Sequence, residues 1–228
     1  MARHRITVGP PRAEDFDCLS GWFEQAGVAT ADPIGETARY RAAFAAGYLG
    51  VATGGGFRSN FEAFLGLPDA ERPAARTMMQ VLRLDDSAIG ALVMGPHAPL
   101  WQVMDARIAR EGAAAGESSA AFMNFVIAAL KVTKIRLVVV DADQRGRGHG
   151  TRLLRSALST ADRYDLLLMY GQFTAEHTHL APFYERAGFS VLGPGEPLPL
   201  ALVTGNTHDA LTGLADERFF VHRRTTQQ

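Results

Sequence analysis

The chain has a single cysteine, Cys18, among 228 residues. One thiol excludes an internal disulfide framework and a cysteine-rich metal site. Its surroundings, "EDFDCLSGWF", are acidic, which disfavours the thiolate a nucleophilic cysteine needs. Cys18 is expected to be a small buried hydrophobe in a reducing cytoplasm. An excess of either charge is also missing: 23 basic residues stand against 24 acidic ones. Bulk charge therefore carries no footprint for a nucleic-acid or anionic membrane-surface partner. No uncharged apolar run approaches the roughly eighteen residues that a membrane span needs. The opening "MARHRITVGPPRAEDFD" lacks the apolar stretch of a secretory signal, so a cytoplasmic protein is expected.

What is present is core material. Hydrophobic residues make up 47% of the chain, the share of an ordinary globular protein. "HRITVG" reads as a short strand stopped by Pro10 and Pro11. Phe16, Leu19, Trp22 and Phe23 then fall at helical spacing, with a stop near Gly27. "GETARYRAAFAAGYLG" predicts a second helix, and "SNFEAFLGL" a short one within a loop-rich stretch. Apolar runs on either side of Asp85, Asp86 and Ser87 predict a hairpin. "LWQVMDARIAREGAAAGES" reads as a helix that fades into a loop, and "SAAFMNFVIAALKV" as helix or buried strand. The second half is clearer. "KIRLVVVDA" is β-branched and predicts a strand, and "GTRLLRSALSTADRY" an amphipathic helix with Leu153, Leu154, Ala157, Leu158 and Ala161 on one face. "DLLLMYGQF" predicts a buried strand, "HLAPFYERAG" a short helix ended by Gly188, and "FSVLG" and "ERFFVHR" late strands. The alternation predicts an α/β layered domain.

The stretch "DADQRGRGHGTRLL" (Asp141 to Leu154) lies between that strand and that helix. The first turn of a helix presents backbone N–H groups without intrahelical partners at the positive end of the helix dipole. That combination binds anions, phosphate above all. Gly146, Gly148 and Gly150 would let the turn adopt positive φ and let a ligand approach the backbone. Arg145 and Arg147 add charge, and Thr151 a hydroxyl. A P-loop is excluded because it needs G-x-x-x-x-G-K-[ST]. A dinucleotide fold is disfavoured because it needs G-x-G-x-x-G, and the spacing here is G-x-G-x-G. Arg136, Arg152 and Arg155 read as members of solvated faces.

"VDADQRGRGHG" resembles the pyrophosphate loop of the GNAT superfamily of acyl-CoA-dependent N-acyltransferases, V-D-P-x-x-R-G-x-G-x-G with [QR]-x-x-G-x-[GA] at its heart. Arg145, Gly148 and Gly150 match that heart, and Ala142 stands where the family has proline. "APFYERAGF" resembles the family's second block, "FYEKLGF". The resemblance is strongest over residues 134–193; residues 27–76 and 96–119 match nothing in it and read as insertions on the substrate side of a single domain spanning 1–228.

The resemblance implies an α/β fold of GNAT type, with a mixed, mostly antiparallel central sheet and helices on both faces. It implies acetyl-CoA, or another acyl-CoA, as co-substrate and no metal. Val138, Val139 and Val140 would offer backbone to the pantetheine arm on a strand that splays from its neighbour. Arg145, Gly146, Arg147, Gly148, His149, Gly150 and Thr151 would cradle the pyrophosphate. His177 occupies the place of an asparagine that often touches the cofactor. Tyr184 matches the tyrosine that protonates the leaving thiolate. Twelve residues before it, where some members carry a glutamate base, stands Gln172, which would instead orient the acceptor. Glu176 or His177 is the expected proton relay, with a water wire as the alternative; His177 and His179 read as a solvated pair rather than metal ligands. The implied reaction moves an acyl group from acyl-CoA to a primary amine of a small molecule. An aminoacyl-tRNA donor, a protein amine acceptor and a non-catalytic acyl-CoA-binding module remain alternatives, although the balanced charge argues against a nucleic-acid partner. A homodimer would be in keeping with the superfamily. Phe57, Phe61, Phe64 and Trp101 read as core under long loops before they read as lining of an acceptor pocket.

Overall fold

The computed structural model describes residues 4–27, 32–97, 130–204 and 206–224. The helix expected around Trp101 and most of "SAAFMNFVIAALKV" lie outside them. The described helices are α1 (Phe16–Gln25), α2 (Pro33–Ala45), α3 (Phe57–Leu65), α4 (Arg72–Ala75), α5 (His149–Arg163), α6 (Leu180–Ala187) and α7 (Ala201–Thr204). The strands are β1 (Ile6–Gly9), β2 (Met78–Leu84), β3 (Ser87–Gly95), β4 (Val132–Val140), β5 (Leu168–Thr174), β6 (Ser190–Val191), β7 (Leu198–Pro199), β8 (Ala210–Leu211) and β9 (Glu217–Arg223). The short α4, α7, β7 and β8 carry too few residues to show a period and were not anticipated.

The chain divides into two compact units, Met1–Gly95 with Ile135–Thr160 and Pro96–Lys134 with Ala161–Gln228. In the first unit, β1, β2 and β3 form an antiparallel meander. Ile6 pairs with Leu84, and β2 runs against β3 from Met78 with Met94 to Leu84 with Ser87. The hairpin turns through Asp85 (φ 49°) and Asp86 (φ 73°), the left-handed pair whose twist matches that of the flanking strands. Phe16, Leu19, Trp22 and Phe23 of α1 are each at most 4% exposed and pack with Val81, Val93, Leu137 and Val139. Helix α2 opens on Asp32, whose carboxylate accepts from the Gly35 N–H at 2.8 Å, with Pro33 in its first turn; the proline gives up an N–H that would be unpartnered there anyway.

Two buried carboxylates in this unit are paired with arginines. Asp15 accepts from Arg83, and Glu36 from Arg136. Tyr40 donates to Glu36 at 2.7 Å, and Arg136 donates to the Tyr40 hydroxyl at 2.7 Å. Arg136 is therefore not part of a solvated face, because it neutralises a carboxylate on α2. Arg152 donates to the Ile6 carbonyl at 3.0 Å. Cys18 is exposed rather than buried. Partial burial and the nearby Asp141, Asp15 and Asp17 push its thiol above the ordinary value, so the expected absence of a thiolate has a physical cause. Phe64 is core, 1% exposed, whereas Phe57 is 41% exposed and stacks on Phe61 at 6.2 Å.

In the second unit, the first residues of β4 pair in parallel with β5, Val132 with Leu168 through Lys134 with Tyr170. Strand β5 runs antiparallel to β9 over its whole length, Leu168 with Arg223 to Thr174 with Glu217, and β6 pairs antiparallel with β9. Val132, Leu168, Tyr170, Phe219 and Val221 pack with Leu198 and Leu200. Helix α6 stops at Gly188, which takes φ 104°, a value that favours glycine. Strands and helices thus make a mixed α/β fold whose sheet is mostly antiparallel, the fold class expected from sequence. Among the described residues no helix is long and apolar enough to cross a membrane.

Candidate active site

In the first unit the site begins at the end of β4. Gly90 on β3 has no room for a side chain: a Cβ there would meet the Val139 carbonyl oxygen at 2.4 Å. Glycine allows β4 to come that close. The Asp141 N–H donates to the Ile89 carbonyl at 2.9 Å. Helix α1 then fastens the strand end. The Trp22 indole donates to the Asp141 carboxylate at 2.9 Å, and the Gln25 amide to the Val140 carbonyl at 3.3 Å. The Val140 carbonyl also accepts from Arg145 Nε at 3.0 Å. Arg145 thereby ties down the turn, and both lone pairs of that carbonyl are engaged, so Val140 is less suited than Val138 or Val139 to pair with an added chain.

After a single 3₁₀ turn (Ala142–Gln144), Gly146 and Gly148 take φ 75° and 80°. A Cβ at either would meet nothing within 4 Å. These glycines are required by conformation and not by crowding, and the space above them is open to a ligand. Gly150 lies in the first turn of α5, where the helix was expected to open, and differs from expectation only in lacking a positive φ. The Arg152 N–H closes onto the Gly148 carbonyl at 3.1 Å. The N–H groups of His149, Gly150 and Thr151 come before that bond and have no intrahelical acceptor. Fifteen residues of helix stand behind them. Arg147 is exposed and, among the described residues, unpartnered. Orphan amides, a helix dipole, an open glycine turn and a nearby arginine are the requirements of a phosphate site.

In the second unit, Tyr184 of α6 is 8% exposed. Its ring stacks on Phe220 at 3.7 Å and 7°, and on Phe173 at 5.5 Å. The tip of the Phe220 ring reaches over Gly171, where a Cβ would sit 2.1 Å from it. The glycine in the middle of β5 is thus the floor of an aromatic stack that fixes Tyr184. Burial pushes the Tyr184 phenol above its ordinary value, so it stays protonated at neutral pH. No group among the described residues hydrogen-bonds its hydroxyl.

Gln172 follows Gly171 and points to the opposite face of β5. Its side chain joins two charged residues: Lys134 donates to its Oε1 at 3.0 Å, and its Nε2 donates to Glu217 at 2.8 Å. The structure therefore does not bring Gln172 and Tyr184 together on one face. Glu176 and His177 lie in the exposed turn after β5, with Nε2 of His177 3.8 Å from the Glu176 carboxylate. His177 and His179 rings are 6.1 Å apart, and among the described residues no cluster of three metal-ligating side chains is present. Sequence reasoning missed Glu217 altogether. It stands 45 residues from Gln172, and only the β5–β9 register makes them neighbours.

Residues 105–191 match the family model of the acetyltransferase (GNAT) domain, a span that includes the glycine turn and Tyr184. No curated protein matches the sequence. Among solved structures the chain is similar to yncA from Salmonella typhimurium, a proposed acetyltransferase with its cofactor acetyl-CoA (TM-score 0.52, 14% identity, 97% of this chain and 95% of that one). It is similar to a ribosomal-protein-alanine N-acetyltransferase from Brucella melitensis (0.52, 13%, 96% and 99%) and to a GNAT-family acetyltransferase from Streptococcus pneumoniae (0.52, 10%, 96% and 100%). At these identities the likeness speaks for the fold alone. Over residues 105–191 the chain is thus similar to the acetyltransferase (GNAT) domain, and its fold is that of GNAT-family acetyltransferase structures.

Proposed function

We propose that the protein moves the acetyl group of acetyl-CoA to a primary amine of a small molecule by direct attack. The observation that carries this reading is the turn after β4. Gly146 and Gly148 are left-handed and open, and the unpartnered amides of His149, Gly150 and Thr151 head a fifteen-residue helix. These groups suit the diphosphate of coenzyme A, with Arg147 adding charge at the surface. Val138 and Val139 are the β4 residues that would offer backbone to the pantetheine arm.

In the second unit, Tyr184 is suited to protonate the leaving thiolate. Its ring is held by stacking, its hydroxyl has no hydrogen-bond partner among the described residues, and burial keeps it in the protonated form. The amine nitrogen forms the C–N bond while the C–S bond breaks, and the sulfur takes the tyrosine proton, later replaced from solvent. A small amine is favoured over tRNA by the balanced charge of 23 basic and 24 acidic residues, since binding a nucleic-acid backbone draws on clustered Lys and Arg.

Thiol release from acetyl-CoA, followed across a panel of alkyl amines, polyamines, amino acids and peptides, tests this. Turnover with a subset of small amines is expected. Release of thiol only with peptides, or from no amine at all, would overturn the acceptor class.

A further inference from the structure

Transfer to an amine needs a group that takes the ammonium proton, because the protonated nitrogen has no lone pair to attack with. Gln172 cannot do this. Glu176 and His177 sit at the surface, their side chains 72% and 54% exposed and 3.8 Å apart, and among the described residues neither side chain makes a hydrogen bond. Glu217 is different. It opens β9 opposite Thr174, the last residue of β5. One carboxylate oxygen accepts from Gln172 Nε2 at 2.8 Å and the other from the Leu214 N–H at 2.8 Å. The 213–216 loop closes over it: a Cβ on Gly213 would lie 2.9 Å from its carboxylate. The Gln172 amide is in turn oriented by Lys134 Nζ at 3.0 Å. Lys134 and Tyr170 form the last pair of the parallel ladder, so Gln172 lies on β5 just past the point where that pairing ends. Among the described residues Glu217 is the one carboxylate hydrogen-bonded to a β5 side chain.

We infer that Glu217 is the general base of this acetyltransferase and that Gln172 is its positioning residue. The inference rests on the N-acetyltransferase reading above. A glutamine where a base is wanted becomes an amide bracket that presents a carboxylate from the neighbouring strand. Glu217 takes one proton from the acceptor ammonium, and the freed amine forms the C–N bond as the C–S bond breaks. The second nitrogen proton balances the one gained by the thiolate, so the products are amide, CoA thiol and one proton released by Glu217. Lys134 faces the carboxylate through Gln172. Of the charged residues next to Glu217 in the chain, Arg218 donates to the Leu192 carbonyl at 2.8 Å, and Asp216 precedes β9, its backbone carbonyl accepting from the Ala175 N–H at 2.7 Å.

The test compares wild type with Glu217→Gln, Gln172→Ala and Glu176→Gln. Thiol release from acetyl-CoA is measured with n-butylamine, which is an ammonium ion at neutral pH, and with hydroxylamine, which is already neutral there. Calorimetry with acetyl-CoA accompanies each variant. For Glu217→Gln the expected result is a fall of about 10²-fold or more in kcat with n-butylamine, a smaller fall with hydroxylamine, loss of the acid limb of the pH profile, and unchanged acetyl-CoA affinity. Gln172→Ala is expected to shift that acid limb while keeping part of kcat, and Glu176→Gln to resemble wild type. A Glu217→Gln enzyme with wild-type rate and pH profile, or one impaired equally with both nucleophiles, overturns the assignment while leaving the acetyltransferase reading intact. A wild type that binds no acetyl-CoA and releases no thiol overturns both.

Discussion

Two strands of the molecule, β4 and β5, each run into a turn and then a helix, and the two turns work by opposite means. After β4, the groups proposed to bind phosphate are backbone: Gly146 and Gly148 take φ 75° and 80°, and the amides beside them need no particular side chain. After β5, the turn from Ala175 to His179 has no glycine, and its own acids and imidazoles point to water. The side chains proposed for proton transfer stand elsewhere in the second unit: Tyr184 on α6, Gln172 within β5 and Glu217 on β9. A site for phosphate can be written into one contiguous stretch because its ligands are N–H groups. A site for proton transfer must be assembled, because it needs specific side chains held at fixed distances.

Tyr184→Phe breaks the assembled half most sharply. The ring still stacks on Phe220, so stability should change little, whereas kcat should drop about 10²-fold with acetyl-CoA affinity unchanged; steady-state kinetics beside calorimetry check this. Gly171→Ala attacks the same half through its floor. The added methyl would meet the Phe220 ring at 2.1 Å, so a loss of about 1–3 kcal/mol is expected, read as a lower urea midpoint and accompanied by lower kcat. Trp22→Phe probes the backbone half. It removes the 2.9 Å bond to Asp141, for which a loss of about 1 kcal/mol is expected. Acetyl-CoA binding should weaken a few-fold, with kcat preserved.

The same contrast explains what could be read from sequence. The turn after β4 was legible because β-branched residues, glycines and arginines follow one another in the order the chemistry needs, and "FYERAGF" placed Tyr184. Three features were not legible. Gly150 shares the beat of Gly146 and Gly148 but not their left-handed conformation, because it already lies in the first turn of α5. Arg145 was expected to face phosphate, and the sequence did not announce that its Nε also donates to the Val140 carbonyl. Gln172 looked like a lost base until the β5–β9 register put Glu217 against it. That register depends on where the chain returns after forty-odd residues of short strands and turns, and no local period encodes such a return. Arg136 failed for a related reason, because its partner Glu36 lies on a helix a hundred residues earlier.

The most direct measurement is titration calorimetry with acetyl-CoA on wild type and on Gly148→Trp, which fills the open side of the turn at a left-handed position. The account predicts binding by wild type and a loss of at least about 100-fold, roughly 2.7 kcal/mol, in the variant, with circular dichroism unchanged. Equal affinity in the two proteins would contradict it, because the coenzyme would then be held somewhere other than the glycine turn.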